Sequence, residues 1–270
     1  MNEPIGFIGL GDLGRPIAAN LLDAGYPLSV YNRTASKADE LVTRGARRAD
    51  SPADAVSPGG IVVSLLWDDA SVESVVTSDS FLERLGPGGI HISMSTVTPA
   101  GSKALAALHA RHGAHFVEAP IFGRPEAAVA KMLWIPFAGP EGAKQRVRPL
   151  LEAMGAQGVF DFGEEIGAAT MVKLVGNFLI ISAAGSLMEG LALVEKSGFD
   201  AKATVDMLTK TLFPAPIYQI YGQMIAANTA MTVPSAIPLK DLGLFKTTAE
   251  AAAASAPIAK LLFSLRSAQG

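Results

Sequence analysis

The chain has 270 residues, 49% of them hydrophobic, with a formal charge of −3 and no cysteine. The missing thiols exclude disulfides, thiolate metal sites and a cysteine nucleophile, and they are compatible with a reducing cytosol. A weakly acidic chain without blocks of like charge has no electrostatic grip on nucleic acid or an anionic membrane, both of which need clustered Lys and Arg, so the expected partner is a small molecule.

At roughly 100–200 residues per domain, the length suits one or two domains. Residues Met1 to Pro4 lead directly into an apolar run, without the charged start, long apolar stretch and cleavage site of an export signal. A cytoplasmic location is expected. The most membrane-like segment, Leu174 to Met188, is interrupted by Gly176, Asn177, Ser182 and Ser186. It is shorter than the roughly 20 residues of a spanning helix and reads as a buried one. His109, His112 and His115 read as a surface cluster across a helix end, and no metal is expected.

Short apolar runs alternate with helical patterns over the first part of the chain, the signature of a parallel sheet covered by helices on both faces. Strands are expected near 4–10, 27–31, 60–66, 89–93, 114–118, 131–137 and 157–161, and helices near 12–24, 35–45, 70–77, 98–112 and 140–153. Thr98-Pro99 and Gly139-Pro140 mark helix starts, because the fixed φ of proline suits a first turn. From about Glu164 no strand is expected: a helical pattern runs to about Lys196, stops at Ser197-Gly198 and restarts after Asp200, a good N-cap. AEAAAASA at 249–256 reads as helix from its alanine content. The expected fold is α/β, a doubly wound parallel sheet over residues 1–162 followed by an all-α domain over 163–270, with a long helix between them.

Gly9, Gly11 and Gly14 follow the strand IGFIG and open the first helix. In that context Gly9 permits a tight turn, Gly11 lets the backbone approach a pyrophosphate, and Gly14 lets helix and strand pack closely. The helix N-terminus then faces the anion with free N–H groups and the positive end of its dipole. Residues Gly9, Leu10, Gly11, Asp12, Leu13 and Gly14 are therefore expected to hold a dinucleotide in a Rossmann domain, with Leu65 and Leu66, at the end of the strand near 60–66, beside it.

The second strand, PLSVYNRT, ends without the acidic side chain that accepts hydrogen bonds from the ribose of NAD. Asn32, Arg33 and Thr34 offer a guanidinium and polar donors instead. These suit the extra phosphate of NADP, because Arg binds phosphate bidentately where a carboxylate would repel it. NADP(H) is the expected cofactor.

A nicotinamide reaction needs a group that gives or takes a proton. In GAATMVKLVGNFLIISA, Lys173 and Asn177 are four apart on one helical face, otherwise continued by Ile166, Ala169, Ile180 and Ala184. A lysine in an apolar stripe costs desolvation, and burial lowers its pKa toward a useful range. The alternative is a lysine that reaches solvent while its stem covers core.

The chain resembles the β-hydroxyacid dehydrogenase family, which includes 3-hydroxyisobutyrate dehydrogenases and glyoxylate/succinic semialdehyde reductases. The resemblance lies in GFIGLGDLG at the start, NRT after the second strand, HISMSTVTP at 91–99, EAPIFGRPEA at 118–127, VKLVGN at 172–177 and KDLGL at 240–244. It implies that Lys173 is the catalytic proton donor or acceptor, that Asn177 contacts substrate, that Thr96 and Lys240 help position the cofactor, and that a homodimer or homotetramer forms through the helical domain. Read without it, Ser95 and Thr96 could cap the helix near Pro99, and Lys240 with Asp241 could be a surface ion pair.

Where the family usually shows Asp-Ala-Pro-Val-Ser-Gly-Gly, with the serine hydroxyl and glycine amides holding a substrate carboxylate, this chain has EAPIFGR. Phe122 cannot donate a hydrogen bond. Beside Gly123, Arg124 either takes over as a charged clamp or points outward and leaves the pocket more apolar than usual. Relatives usually continue for another helix beyond AKLLFSLRSAQG, so a cover over the site is expected to be short or absent. The implied activity is NADPH-dependent reduction of a small aldehyde or keto acid to the hydroxy acid. Two alternatives stand beside it, reduction of an apolar C=N substrate as in imine reductases and a non-catalytic NADP-binding sensor or oligomerisation module.

Overall fold

The computed structural model describes residues 2–78, 80–227 and 236–268. The chain divides into two compact units, Met1–Lys173 and Leu174–Gly270.

Six parallel strands build the first unit: β1 (Ile5–Ile8), β2 (Leu28–Tyr31), β3 (Arg47–Arg48), β4 (Ile61–Ser64), β5 (Ile90–Ser93) and β6 (His115–Glu118). Their order in the sheet is β3-β2-β1-β4-β5-β6, so the chain reverses its direction of travel between β1 and β4. Ligands of such sheets gather at that switch point, outside the carboxyl ends of the strands. Alternate strand residues feed two cores. Ile5, Phe7, Ile61, Val63, Ile90 and Ile92 pack with Ile17 and Leu21 of the helix Gly14–Asp23 and Val147 and Leu150 of the helix Glu141–Ala153. Ile8, Val62 and Phe116 pack on the other face with Val72 and Val76 of the helix Asp69–Val76 and Leu105 of the helix Pro99–Arg111. A sheet buried on both faces explains why its strands read as continuous apolar runs.

The structure departs from expectation in several places. β3 is two exposed arginines, carrying no apolar pattern. The runs expected near 131–137 and 157–161 form their own two-stranded parallel sheet, β7 (Leu133–Phe137) with β8 (Ala156–Asp161), instead of joining the main one. Short helices at Phe81–Leu85 and Pro125–Val129 are too brief to show a helical period in the sequence.

In the second unit Gly198 ends the helix Ala168–Lys196 at a φ of 81°, and the Asp200 side chain caps the helix Ala201–Lys210 by accepting from Ala203 N–H. The helices Pro216–Ala226, Ala236–Ala251 and Pro257–Ser267 complete it. Alanine content does not carry the helix through 249–256. The chain turns at Ala253, φ 52°, and restarts at Pro257, which cannot continue a helix but suits a first turn. Nor is Leu174 to Met188 a buried helix: Leu174, Ile181 and Ala184 are covered, but Val175, Leu179 and Met188 are exposed. The helix Ala168–Lys196 is by length and composition long enough and apolar enough to cross a membrane.

Candidate active site

The glycine turn sits at the switch point. Gly9 adopts a φ of 98°, and a side chain there would meet the Leu65 carbonyl oxygen at 2.2 Å. At Gly14 the obstacle is the Gly9 carbonyl oxygen, 2.0 Å from where a Cβ would stand. Gly11 differs, since a Cβ there meets nothing within 4 Å and opens onto free space. No side chain caps the helix Gly14–Asp23, and its first turn holds no acid, which leaves its positive end available to an anion. Asn32 braces this turn, its Oδ1 accepting from Leu10 N–H at 2.9 Å and its Nδ2 donating to the Thr34 carbonyl. Leu65 N–H bonds the Ile8 carbonyl, and Leu66 N–H donates to Ser95 Oγ at 2.8 Å. A glycine turn open at Gly11 beside an uncapped helix end fits a dinucleotide pyrophosphate.

A small cavity of about 140 Å³ opens at the end of β2, lined by Asn32, Arg33, Arg48 and Asp50 among others. Arg48 pairs with Asp39 and donates to the Ala35 carbonyl. Asp50 places a carboxylate in this cavity that the end of the second strand itself does not supply. Thr96 does not cap the helix Pro99–Arg111; Thr98 does, accepting from Gly101 N–H, with Asp69 accepting from the Thr98 N–H and hydroxyl.

Lys173 is 8% exposed, and its Nζ lies over the ring of Phe122, 4.3 Å from the centroid. An ammonium on an aromatic face is attracted by the ring quadrupole, more strongly where water is excluded. Phe122 also faces an apolar cavity. With Trp134, Pro136, Phe160, Phe162 and Val172 it lines a cavity of about 340 Å³, and its backbone pairs with Trp134 in both directions. Gly123 holds a φ of 151°, with Leu133 packed where a side chain would be. The Arg124 guanidinium stands 3.5 Å from Glu126 and is about one-third exposed.

Below this contact lies a buried carboxylate not singled out from the sequence. Glu118, the last residue of β6, accepts from the N–H groups of Gly167 and Ala169 and from the Thr170 hydroxyl. Its partners stand some fifty positions along the chain, so no local pattern announces it.

In the second unit Asn177 Nδ2 donates to Asp241 Oδ2 at 2.7 Å, and the Lys240 ammonium stands 3.2 Å from Asp241 Oδ1, an ion pair not aligned as a hydrogen bond. Asp241 is buried and Lys240 largely so, which is not the surface pair considered from the sequence alone. Asp241 is thus the residue that joins Asn177 to Lys240.

Of the three histidines read as a surface cluster, His115 is exposed and His112 half-buried, but His109 is not at the surface. His109 is fully buried in the helix Pro99–Arg111, beside His91 of β5 and Ser64 of β4. His109 Nδ1 faces the Leu105 carbonyl at 2.7 Å and must donate to it, leaving Nε2 to accept from His91 Nδ1 at 2.9 Å. His91 Nε2 then accepts from the Ser64 hydroxyl at 2.8 Å. Both rings are neutral. Burial pushes His91 well below the usual histidine range and His109 to about 4. Among the described residues no group of three or more potential ligands could hold a metal ion.

Residues 4–171 match the family model of the NAD-binding domain of 6-phosphogluconate dehydrogenase. The chain is 43% identical over 260 residues to the uncharacterized oxidoreductase YfjR of Bacillus subtilis, covering 95% of this chain and 90% of the relative. It is 32% identical to the NAD-dependent L-serine dehydrogenase of Pseudomonas aeruginosa, over 97% and 91% of the two chains. The chain belongs to the β-hydroxyacid dehydrogenase family. A solved member, the 3-hydroxyisobutyrate dehydrogenase of Mycobacterium tuberculosis with L-serine, superposes with a TM-score of 0.85 at 26% identity, over 99% of this chain and 93% of that one. Family membership makes the chain an oxidoreductase with a nicotinamide dinucleotide cofactor.

Proposed function

We propose that the chain is an NADPH-dependent reductase of a small aldehyde or keto acid, yielding the hydroxy acid, with Lys173 as proton donor. The observation that carries this reading is the Lys173 ammonium, withdrawn from water and seated on the Phe122 ring. Gly9, Leu10, Gly11, Asp12, Leu13 and Gly14 would hold the pyrophosphate, Leu65, Leu66 and Thr96 the approach to the nicotinamide, and Lys240 would help position the cofactor. Reduced nicotinamide, when bound, supplies two electrons and a hydrogen to the substrate carbon. Lys173 Nζ supports the negative charge that grows on the substrate oxygen and gives that oxygen its proton. Gly123, Arg124 and Asn177 orient the substrate.

The Arg33 guanidinium just after β2 supports NADP over NAD, with Arg48 of β3, already paired with Asp39, lining the same cavity as Asp50. Residues 163–270 carry substrate contacts and the assembly face, and the protein works in the cytoplasm as a homodimer or homotetramer.

A second reading, reduction of an apolar C=N substrate, is favoured by one observation: the cavity that Phe122 shares is lined wholly by apolar residues. The retained lysine favours the carbonyl reaction, since imine reductases resemble this chain but usually lack it.

Both readings are tested by following NADPH consumption with glyoxylate, succinic semialdehyde, related oxo acids and cyclic imines, in the wild type and in Lys173→Ala. Oxo-acid turnover lost in the variant supports the proposal. Tight NADPH binding with no turnover of any substrate would make the protein a sensor, and turnover of imines alone would establish the second reading. In a parallel titration, Arg33→Ala weakens NADPH and leaves NADH unchanged; equal effects on both overturn the cofactor preference.

A further inference from the structure

Glu118 is 1% exposed, and both of its carboxylate oxygens are engaged. Oε1 accepts from the N–H groups of Gly167 at 3.0 Å, Ala169 at 2.8 Å and Thr170 at 3.4 Å. Oε2 accepts from the Thr170 hydroxyl at 2.8 Å, and Ser102 Oγ stands 3.1 Å from that same hydroxyl. The N–H groups belong to the start of the helix Ala168–Lys196. Helix starts leave their first N–H groups without intrahelical partners and are commonly capped by the residue just before them. Here that neighbourhood offers Gly167, which has no side chain. A strand some fifty residues earlier supplies the cap as a full negative charge, which also complements the positive end of the helix.

What the carboxylate joins gives it a second consequence. From Glu118 the chain runs four residues to Phe122; from Thr170 the helix runs three residues to Lys173, less than one turn. One buried side chain thus fastens together the two segments whose side chains meet as the Lys173 ammonium on the Phe122 ring. Position 167 cannot supply a local cap, because Gly167 holds a φ of 103°, which Ser or Asp would adopt only under strain and which is not the extended backbone of a capping residue. A cap from β6 does what a local one cannot, because it sets the distance between helix and strand.

We propose that Glu118 is a positioning residue, which fixes the first turn of the lysine-bearing helix against β6 and so determines where the Lys173 ammonium sits. The proposal rests on Lys173 being the proton donor. Its test uses Glu118→Ala and Glu118→Gln, read by hydrogen exchange on the protein without ligands and by steady-state kinetics with NADPH and either glyoxylate or succinic semialdehyde. In the alanine variant, exchange of the Gly167, Ala169 and Thr170 amides speeds at least tenfold. Its kcat falls by about 10–100-fold, as expected for a displacement of about an ångström, with NADPH affinity unchanged. The glutamine variant keeps an acceptor oxygen toward Gly167 and Ala169, and Thr170 can accept from its NH₂ group, so it recovers most of kcat and of the protection. Should the alanine variant not fold, Thr170→Val, which removes only the hydroxyl that Glu118 Oε2 accepts from, takes its place with smaller changes in the same directions. Unchanged exchange at these amides overturns the proposal, as does a kcat loss that only tracks NADPH binding or the folded fraction. The exchange measurement needs no substrate, so it still decides if none is turned over. Lys173→Ala with wild-type turnover refutes the proton-donor role separately, whatever the exchange data show.

Discussion

The Lys173 ammonium rests 4.3 Å from the centre of the Phe122 ring. A charge held this way is stabilised by about 2 kcal/mol when desolvated, against a burial cost of similar or larger size. Replacing Lys173 by methionine, of similar length and without charge, is therefore expected to leave the unfolding midpoint unchanged or slightly raised while turnover is lost. Such a trade of stability for activity marks a functional group. Phe122→Leu keeps the cavity apolar but removes the π face, and is expected to lower stability by about 1–2 kcal/mol in urea titrations. A strongly destabilised Lys173→Met protein would show the lysine to be a structural tether instead.

Gly11 and Gly14 are separable by single methyl groups. A Cβ at position 11 meets open space, so Gly11→Ala should fold with wild-type stability yet bind dinucleotide at least tenfold more weakly, because the methyl stands where the phosphate approaches. At position 14 the methyl would collide with the Gly9 carbonyl oxygen, so Gly14→Ala should lower the melting temperature as well. Thermal melts with and without NADPH check both.

The Ser64–His91–His109 chain gives folding a pH dependence in a definite window. Both histidine values lie below the unfolded one, near 6.5, so their contribution is fully present above pH 6.5 and is lost as pH falls toward the folded values. For His109, held at about 4, the loss accumulates between pH 6.5 and 4 and amounts to about 3 kcal/mol. Carboxylates such as Glu141, held low by hydrogen bonding from Lys144, act only at lower pH. Urea midpoints measured from pH 7 to 4.5 should fall steadily. A flat profile over that range would contradict the neutral, buried assignment.

Leu193, Phe199, Met207 and Leu212 in the second unit are each more than half exposed. If the helical unit carries the assembly face, Leu193→Glu combined with Phe199→Asp should give a monomer by light scattering, still able to bind NADPH. An unchanged oligomer would place the interface elsewhere.

The parts of the fold legible in the sequence are those where a local pattern maps onto a local structure. The strand-glycine-helix run from Ile5 to Asp23 is such a case, since Gly14 answers a contact within its own turn, Gly9 one across to the neighbouring strand end, and Gly11 keeps the turn open. Asp200 is another, capping the helix that follows it. His109 had a usable signal, because it follows Leu105 by four residues on one face of the helix Pro99–Arg111, the face that is buried. What the sequence conceals are contacts between distant segments. Lys173 pairs by spacing with Asn177, yet its aromatic neighbour lies fifty-one positions back, and Asp241 reaches Asn177 across sixty-four. Local propensity also fails where turns intervene, as at Ala253, where alanine adopts a conformation that its helix preference argues against.

The main sheet begins, in space, with β3, and that strand is only Arg47 and Arg48, both exposed. An unpaired flank on a parallel sheet otherwise invites the extended chain of a neighbouring molecule to add itself by main-chain bonding. A strand of two residues, with Arg47 held by Ser29 and Asp54 and Arg48 paired with Asp39, is too short to template that addition, so this border of the molecule offers little for a neighbouring strand to pair with.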